Sequence, residues 1–493
     1  MQTMKRPSLK TNAILYAAYR GGAILFPIVT FSYASHKLGA DGIGAVNFAN
    51  SVISYFLLLA ALGIATYAVR EGQEFREDKE RLQTFISEVY TINVLMTVVS
   101  YAILGVLVLV WSKLSGYSNI IFVLSISIVL TTVGADWVNT LLEDYLFITI
   151  RFFVVQAVCL VLLITMVKGP GDVLMYAVVA MLSSVGGNLL NIVHIRRRIR
   201  FRLTRTPNFR KHFGPMLTLF SNNLAIKIYL IADVTMLGLF LSDTEVGYYS
   251  ASSKVYTSVK EMLNALIFVT VPRFAYYLSH DERDSYELSY HRVFDSVGTL
   301  LLPCVVGLFF QADNILYFLG GKEYVHGTMA LQILSGAMLF AVTACLFAQS
   351  ILIPFKQDRF FLKATTVAAI ANVVLNFLLI PKFEIEAAAV TTLISEFLVC
   401  ILTFARGRKY LRGAVTISRD IVSAAVGAAG VAGVCIAMNM FVTGRLVNML
   451  LSIACSCILY FVITLVLNNH SVRKGLESAL ALPGKVLRRK RKM

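Results

Sequence analysis

The sequence predicts an all-α integral membrane protein with about fourteen transmembrane helices. Three observations carry that expectation. The 493 residues are 57% hydrophobic and only 15% charged, with a mean hydropathy of +0.72, whereas a soluble domain has about 25% charged residues. Apolar runs long enough to cross roughly 30 Å of hydrocarbon, about 20 residues each, recur along the whole chain. The basic residues are gathered on alternate connections between those runs. This balance excludes a cytosolic enzyme, a secreted disulfide scaffold and a disordered chain. The seven cysteines are odd in number and fall almost wholly inside apolar runs, so they read as small core hydrophobes.

Taken in order, the apolar windows run approximately 11–35, 43–69, 83–111, 118–140, 147–167, 172–195, 213–240, 246–271, 293–311, 329–353, 361–380, 385–405, 418–441 and 446–468. The first is read as a retained helix. Its apolar run is too long for a signal peptide, and no small-x-small cleavage site ends it. With the N-terminus placed in the cytoplasm, connections on that side hold 35 of the 45 Lys and Arg residues, including Arg196, Arg197, Arg198, Arg200, Arg202, Arg205, Arg210 and Lys211. The opposite side holds six: Lys37, Lys113, Lys168, Lys322, Lys382 and Arg445. Translocating loop cations is disfavoured, so both termini are expected inside, and the net charge of +17 needs no nucleic acid. The tail Arg488–Lys492 suits anionic inner-leaflet lipid or solvent.

An internal repeat organises these windows. At an offset of 203 residues, Ile43 pairs with Val246, Gly44 with Gly247, Ile64 with Ile267 and Arg70 with Arg273. Six spans separate the copies, an even number, so the repeat is parallel with a pseudo-two-fold axis along the membrane normal. The expected organisation is an N-lobe over 1–195, a basic cytoplasmic linker over 196–212, a C-lobe over 213–405, two further spans within 406–468, and a basic tail over 469–493.

Four basic residues fall inside the spans rather than on loops: Arg20, Lys227, Lys254 and Lys260. Each costs about 2.5–3.5 kcal/mol near a helix centre on insertion scales, so they are expected to face a wet cleft rather than lipid. A cationic cleft suits an anionic head such as phosphate, which Arg forks and Lys holds as a point charge. Against this stand two local explanations: Lys260 adjoins Glu261, and Lys254 is near enough to a helix end to snorkel. Asp136, Asp233, Glu261 and Glu396 are acidic at depth, with Glu88 and Asp295 nearer the cytoplasmic ends. Asp136, Asp233 and Glu396 are the candidates for ion coupling, because a carboxylate in a dry bundle readily takes up a proton or cation.

No Walker-type phosphate loop occurs, which argues against ATP hydrolysis. The seven histidines lie in loops or near span ends without metal-ligand spacing, so no metal or other cofactor is expected. Connections on the outer side are short, the longest about Gln311 to Thr328, so no catalytic ectodomain is expected either. Gly21–Gly22 with Pro27, and Gly186–Gly187, are the candidate bending points.

The stretch LGADGIGAVNFANSVISYFLLLAALGIATYAVRE, residues 38–71, resembles the second helix of the Wzx-type polysaccharide flippases. The matching positions are the L-G turn at Leu38–Gly39, Gly44, and a closing G-x-x-x-Y-x-x-R-E at Gly63, Tyr67, Arg70 and Glu71; Asn12 and Pro27 in the first span fit as well. The resemblance implies a member of the multidrug/oligosaccharidyl-lipid/polysaccharide exporter superfamily. Such a protein moves an undecaprenyl-pyrophosphate-linked O-antigen or capsule repeat unit across the bacterial inner membrane and breaks no bond. Expected partners are that glycan, membrane lipids and the polysaccharide polymerase. Two rivals remain at this level. A cation-coupled drug exporter of the related MATE class would want an acidic cavity. A membrane-bound polymerase or ligase would want a large outer loop.

Overall fold

Residues 9–75, 78–142, 144–199, 201–412 and 418–477 are described by a computed structural model. Among them the elements are helical: α1 (Leu9–Ala61), α2 (Ile64–Gly72), α3 (Lys79–Val110), α4 (Ser112–Ser115), α5 (Ser118–Gly134), α6 (Asp136–Leu141), α7 (Tyr145–Met166), α8 (Val173–Val185), α9 (Gly187–Arg198), α10 (Phe209–Phe240), α11 (Asp243–Phe268), α12 (Val271–Ser279), α13 (Arg283–Phe310), α14 (Ala312–Gly320), α15 (Thr328–Phe347), α16 (Asp358–Gly407), α17 (Arg419–Phe441) and α18 (Arg445–Val466). Twelve helical stretches among the described residues are long and apolar enough to cross a membrane.

That number differs from the expected fourteen for a physical reason. Helices α1 and α16 hold 53 and 50 residues, about 75–80 Å at 1.5 Å per residue, far more than one crossing needs. Each is broken once. In α1 the break is Gly39, whose φ of 71° suits a residue without Cβ. In α16 it is Glu384, at φ 51° and three residues after Pro381. Each half is of membrane length. The backbone of α1 stays helical through Gly21, Gly22 and Pro27, so its one break is at the turn rather than at the expected bending point. Gly186 does separate α8 from α9.

The chain divides into two compact units, residues 1–250 and 251–493. In the first, α1 is the hub and packs on α3, α5, α7 and α10. Ala34, Ile43, Phe48, Ala49 and Ile53 are fully buried along it. The same unit turns apolar residues outward: Leu95, Val98, Val99, Ile103 and Val106 on α3, and Val154, Val158 and Val161 on α7, are exposed. Stripes of this kind at helical spacing fit a lipid solvent, into which only self-satisfied backbone is tolerated. In the second unit α13 packs on α15 and α17, α15 on α16, and α17 on α18. In its core Tyr286, Tyr290 and Tyr324 are fully buried.

The repeated positions have like surroundings. Ile43 and Val246 are both fully buried, as are Ile64 and Ile267. Each long helix of the pair gives way to a nine-residue amphipathic one, α2 and α12. The register slips there. Arg70 lies in the last turn of α2 whereas Arg273 lies in the first turn of α12, because the second copy spends four more residues before its short helix starts. At the slipped register Tyr67 is the repeat equivalent of Phe274, both buried, the one beside Phe85 and the other beside Tyr286.

Candidate functional site

The charges that sequence placed at depth separate into two kinds. Lys227 and Lys254 are half-buried; Lys227 lies on α10 and Lys254 on α11. Neither ammonium has a hydrogen bond or ion pair among the described residues. Lys227 is 18 residues into α10, about 27 Å along the helix, and Lys254 is about 16 Å into α11. Arg20 lies on α1, but its side chain is outside the described residues.

Lys260 belongs to the other kind. Its Nζ is 3.3 Å from Glu396 Oε1, with both side chains about nine-tenths buried. Tyr256 donates its hydroxyl to the same carboxylate oxygen at 3.0 Å, and the Lys260 ammonium sits 4.6 Å from the Tyr256 ring centroid. The neutralising partner is therefore Glu396 on α16, not the adjacent Glu261. Six residues along a helix amount to about 120° around it, so Lys254 and Lys260 point from different faces of α11.

Asp136 begins α6 just after the left-handed Ala135 (φ 44°). Arg151 grips it with both terminal nitrogens, at 2.9 and 3.2 Å, and Asn191 and Asn139 donate to it at 2.9 and 3.3 Å. The carboxylate thus receives four donors. Arg151 is only 9% exposed and was not among the expected interior cations, because it stands barely a turn inside the fifth window. Its signal was an arginine inside an otherwise apolar helix. Asp233 accepts the hydroxyl of the buried Tyr249 at 2.6 Å.

A further buried group joins α2, α3 and the first turn of α10. His212 is wholly buried, with Nδ1 2.7 Å from the Tyr67 hydroxyl and Nε2 2.8 Å from Glu88 Oε2. With Nε2–H donating to the carboxylate, Nδ1 of the neutral ring accepts from Tyr67. In the sequence His212 is one of the histidines near span ends; its position beside the closing tyrosine of the 38–71 motif is tertiary information.

The two glycines that the repeat pairs meet in space. Within the first unit a Cβ at Gly44 would stand 1.7 Å from the Asp243 carbonyl oxygen, and one at Gly247 would stand 2.1 Å from the Ala40 carbonyl oxygen. Asp243 follows Ala40 by the repeat offset, so the contact is reciprocal. Only glycine permits it. Around it Tyr117 donates to Asp243 at 2.6 Å, Thr244 to Asp41 at 3.4 Å and Thr235 to Ser51 at 3.0 Å. Burial and the neighbouring Asp243 carboxylate hold the Tyr117 phenol well above its ordinary pKa, so it remains a donor. The second half of α1 and the α10–α11 turn thereby form a closed, interlocked seam.

Comparison with known proteins follows the same lines. The family described as "Polysaccharide biosynthesis protein" matches residues 9–278. A "Putative O-antigen transporter" of Escherichia coli (strain K12) is 21% identical over 421 residues, 82% of this chain and 98% of that protein. A "Probable low-salt glycan biosynthesis flippase Agl15" of Haloferax volcanii is 26% identical over 168 residues, 34% of this chain and 35% of that protein. Among solved structures, "Lipid II flippase MurJ, inward closed conformation" aligns with a TM-score of 0.71 at 13% identity, over 94% of this chain and 99% of that one. That similarity is one of fold.

Proposed function

The chain belongs to the polysaccharide biosynthesis protein family, and from that premise we propose that it is a flippase for a lipid-linked oligosaccharide, carrying an undecaprenyl-pyrophosphate-linked repeat unit of O-antigen or capsule across the bacterial cytoplasmic membrane. The observation that carries the reading is the pair Lys227 and Lys254, cations deep in apolar helices with no counter-charge among the described residues. Such groups are expensive in lipid and are kept where water and an anion reach them. A pyrophosphate supplies that anion. Arg20 joins them in this reading as a third cation on the passenger's path. Lys260 acts through Glu396, as a pair whose balance shifts when a proton or an anion arrives. Asp136 and Asp233 are proposed as further points of ion coupling.

The reading extends to topology. Fourteen crossings, counting each half of α1 and α16, with both termini cytoplasmic, agree with the skew of Lys and Arg. The proposed cycle is alternating access: the interlocked glycine seam closes one side while the anionic head enters from the other, and the polyprenyl tail stays in lipid. No bond is made or broken. Handing the repeat unit to a polymerase on the outer face completes the route.

Lys227→Gln and Lys254→Gln, expressed in a strain lacking its own copy of the gene, test the proposal. Each is expected to lower surface glycan about tenfold at unchanged membrane level, in keeping with the loss of one hydrogen bond to a charged group, while the Lys→Arg variants retain most of it. Normal glycan display by both Gln variants overturns it.

A further inference from the structure

A separate pocket lies where the basic linker folds back on the first unit. It has a volume of about 290 Å³ and is lined by Tyr90 of α3, Ile192 and Arg196 of α9, and Phe201, Arg202 and Leu203 of the linker, among others. The linker is held there by side chains rather than by regular structure. The Arg202 amide donates to Ser87 Oγ at 3.3 Å, the Thr204 amide donates to Thr91 Oγ1 at 3.0 Å, and the Phe201 ring meets that of Tyr90 edge-on at 4.9 Å.

We propose that this pocket binds the phosphate of a membrane lipid headgroup. Two arginines, Arg196 and Arg202, both exposed, line one small cavity, and among the described residues neither has an ion pair or a side-chain hydrogen bond; the neighbouring Arg198, by contrast, is 2.7 Å from Asp144. Among the described residues no carboxylate lines the cavity, and Glu88, the acidic residue on the adjoining turn of α3, is taken by His212. Two unbalanced like charges repel, and an anion with several oxygens removes the repulsion by accepting a fork from each arginine. The Tyr90 hydroxyl, without a partner among the described residues, adds a neutral donor.

The pocket's other walls are apolar, and the helix that bears Arg196 leads into lipid. Leu189 and Val193 are exposed on α9 at 47% and 55%; with Arg196 they follow at spacings of four and three and share one face. A chain lying along Leu189 and Val193 would bring its headgroup to Arg196. Basic pockets between helices near the cytoplasmic surface are suited to anionic lipid headgroups. The site does not rest on the glycan reading, since its lining comes from other elements than α10 and α11, which bear Lys227 and Lys254.

Phosphate chemistry has two sources here, a bilayer phospholipid or the polyprenyl pyrophosphate of a lipid-linked glycan. Native mass spectrometry of the purified full-length protein, titrated with phosphatidylglycerol, phosphatidylcholine and undecaprenyl pyrophosphate in turn, distinguishes them. Phosphatidylglycerol is expected to bind about tenfold more tightly than phosphatidylcholine, and the double variant R196Q/R202Q to lose that preference. The double variant R205Q/K211Q, which removes the same charge outside the pocket, is expected to keep it. Preference for undecaprenyl pyrophosphate alone, lost in R196Q/R202Q, supports the phosphate site and assigns it to the pathway lipid. Equal binding of all three lipids, or equal losses in both double variants, overturns the site. Competition by inorganic pyrophosphate on the unaltered protein gives a reading independent of any variant, and no displacement of phosphatidylglycerol by it also overturns the site.

Discussion

At the scale of single residues, what distinguishes one buried charge from another is the partner across space. Lys260 and Glu396 are 136 residues apart and meet at 3.3 Å. Removing either alone leaves a buried charge without its partner, a loss of about 3–5 kcal/mol, whereas removing both leaves only a polar gap. Lys260→Gln and Glu396→Gln are therefore expected each to lower the melting temperature of the purified protein, with the double variant closer to the original than the sum of the two. Simple additivity would mean that the pair is not coupled. His212 gives a second case. In His212→Ala both Glu88 and the Tyr67 hydroxyl lose their partner in a buried setting, at about 1–3 kcal/mol for each orphaned group. A clear drop in thermal stability is the expected outcome, while an unchanged transition would show that water reaches both groups.

At the scale of elements, the contact of Gly44 with the Asp243 carbonyl and of Gly247 with the Ala40 carbonyl sets how closely the α1 and α10–α11 turns approach. A side chain at either position cannot be accommodated without separating them, since the nearest atoms are backbone. Gly44→Val and Gly247→Val are expected to open the seam. A cysteine introduced at Ser51, which is 4% exposed, should then react with a maleimide several-fold faster than in the glycine background. Equal labelling rates would mean that the seam yields elsewhere. The pairing of the two glycines was legible in the sequence as a match at an offset of 203, but their mutual contact was not. Self-similarity reports that two segments fold alike, not that they touch. The four-residue slip at α12 was also out of reach, because hydropathy does not mark where one helix stops and an amphipathic one begins.

For the whole molecule, the orientation proposed from the skew of Lys and Arg makes the linker cytoplasmic. In right-side-out cells a cysteine at Thr204 is expected to resist membrane-impermeant thiol reagents and to react only after the inner face is opened; labelling in intact cells would reverse the topology. The class of fold needed nothing beyond the sequence, since a composition of 57% apolar and 15% charged residues points to a lipid solvent, where the backbone is satisfied only in helices or a closed barrel, and apolar runs of about 20 residues select helices. The rough positions of the spans, the lysines inside them and the pairing of Gly44 with Gly247 in the repeat followed from the same one-dimensional signal. Tertiary structure alone decided which charges are spoken for: Arg151 clasping Asp136, Glu396 holding Lys260, and His212 bridging Tyr67 to Glu88, against Lys227 and Lys254 left with no described partner. The reason is range. Hydropathy acts over one helix length and is written in consecutive residues, whereas an ion pair is decided over about 3 Å between atoms that can be more than a hundred residues apart along the chain.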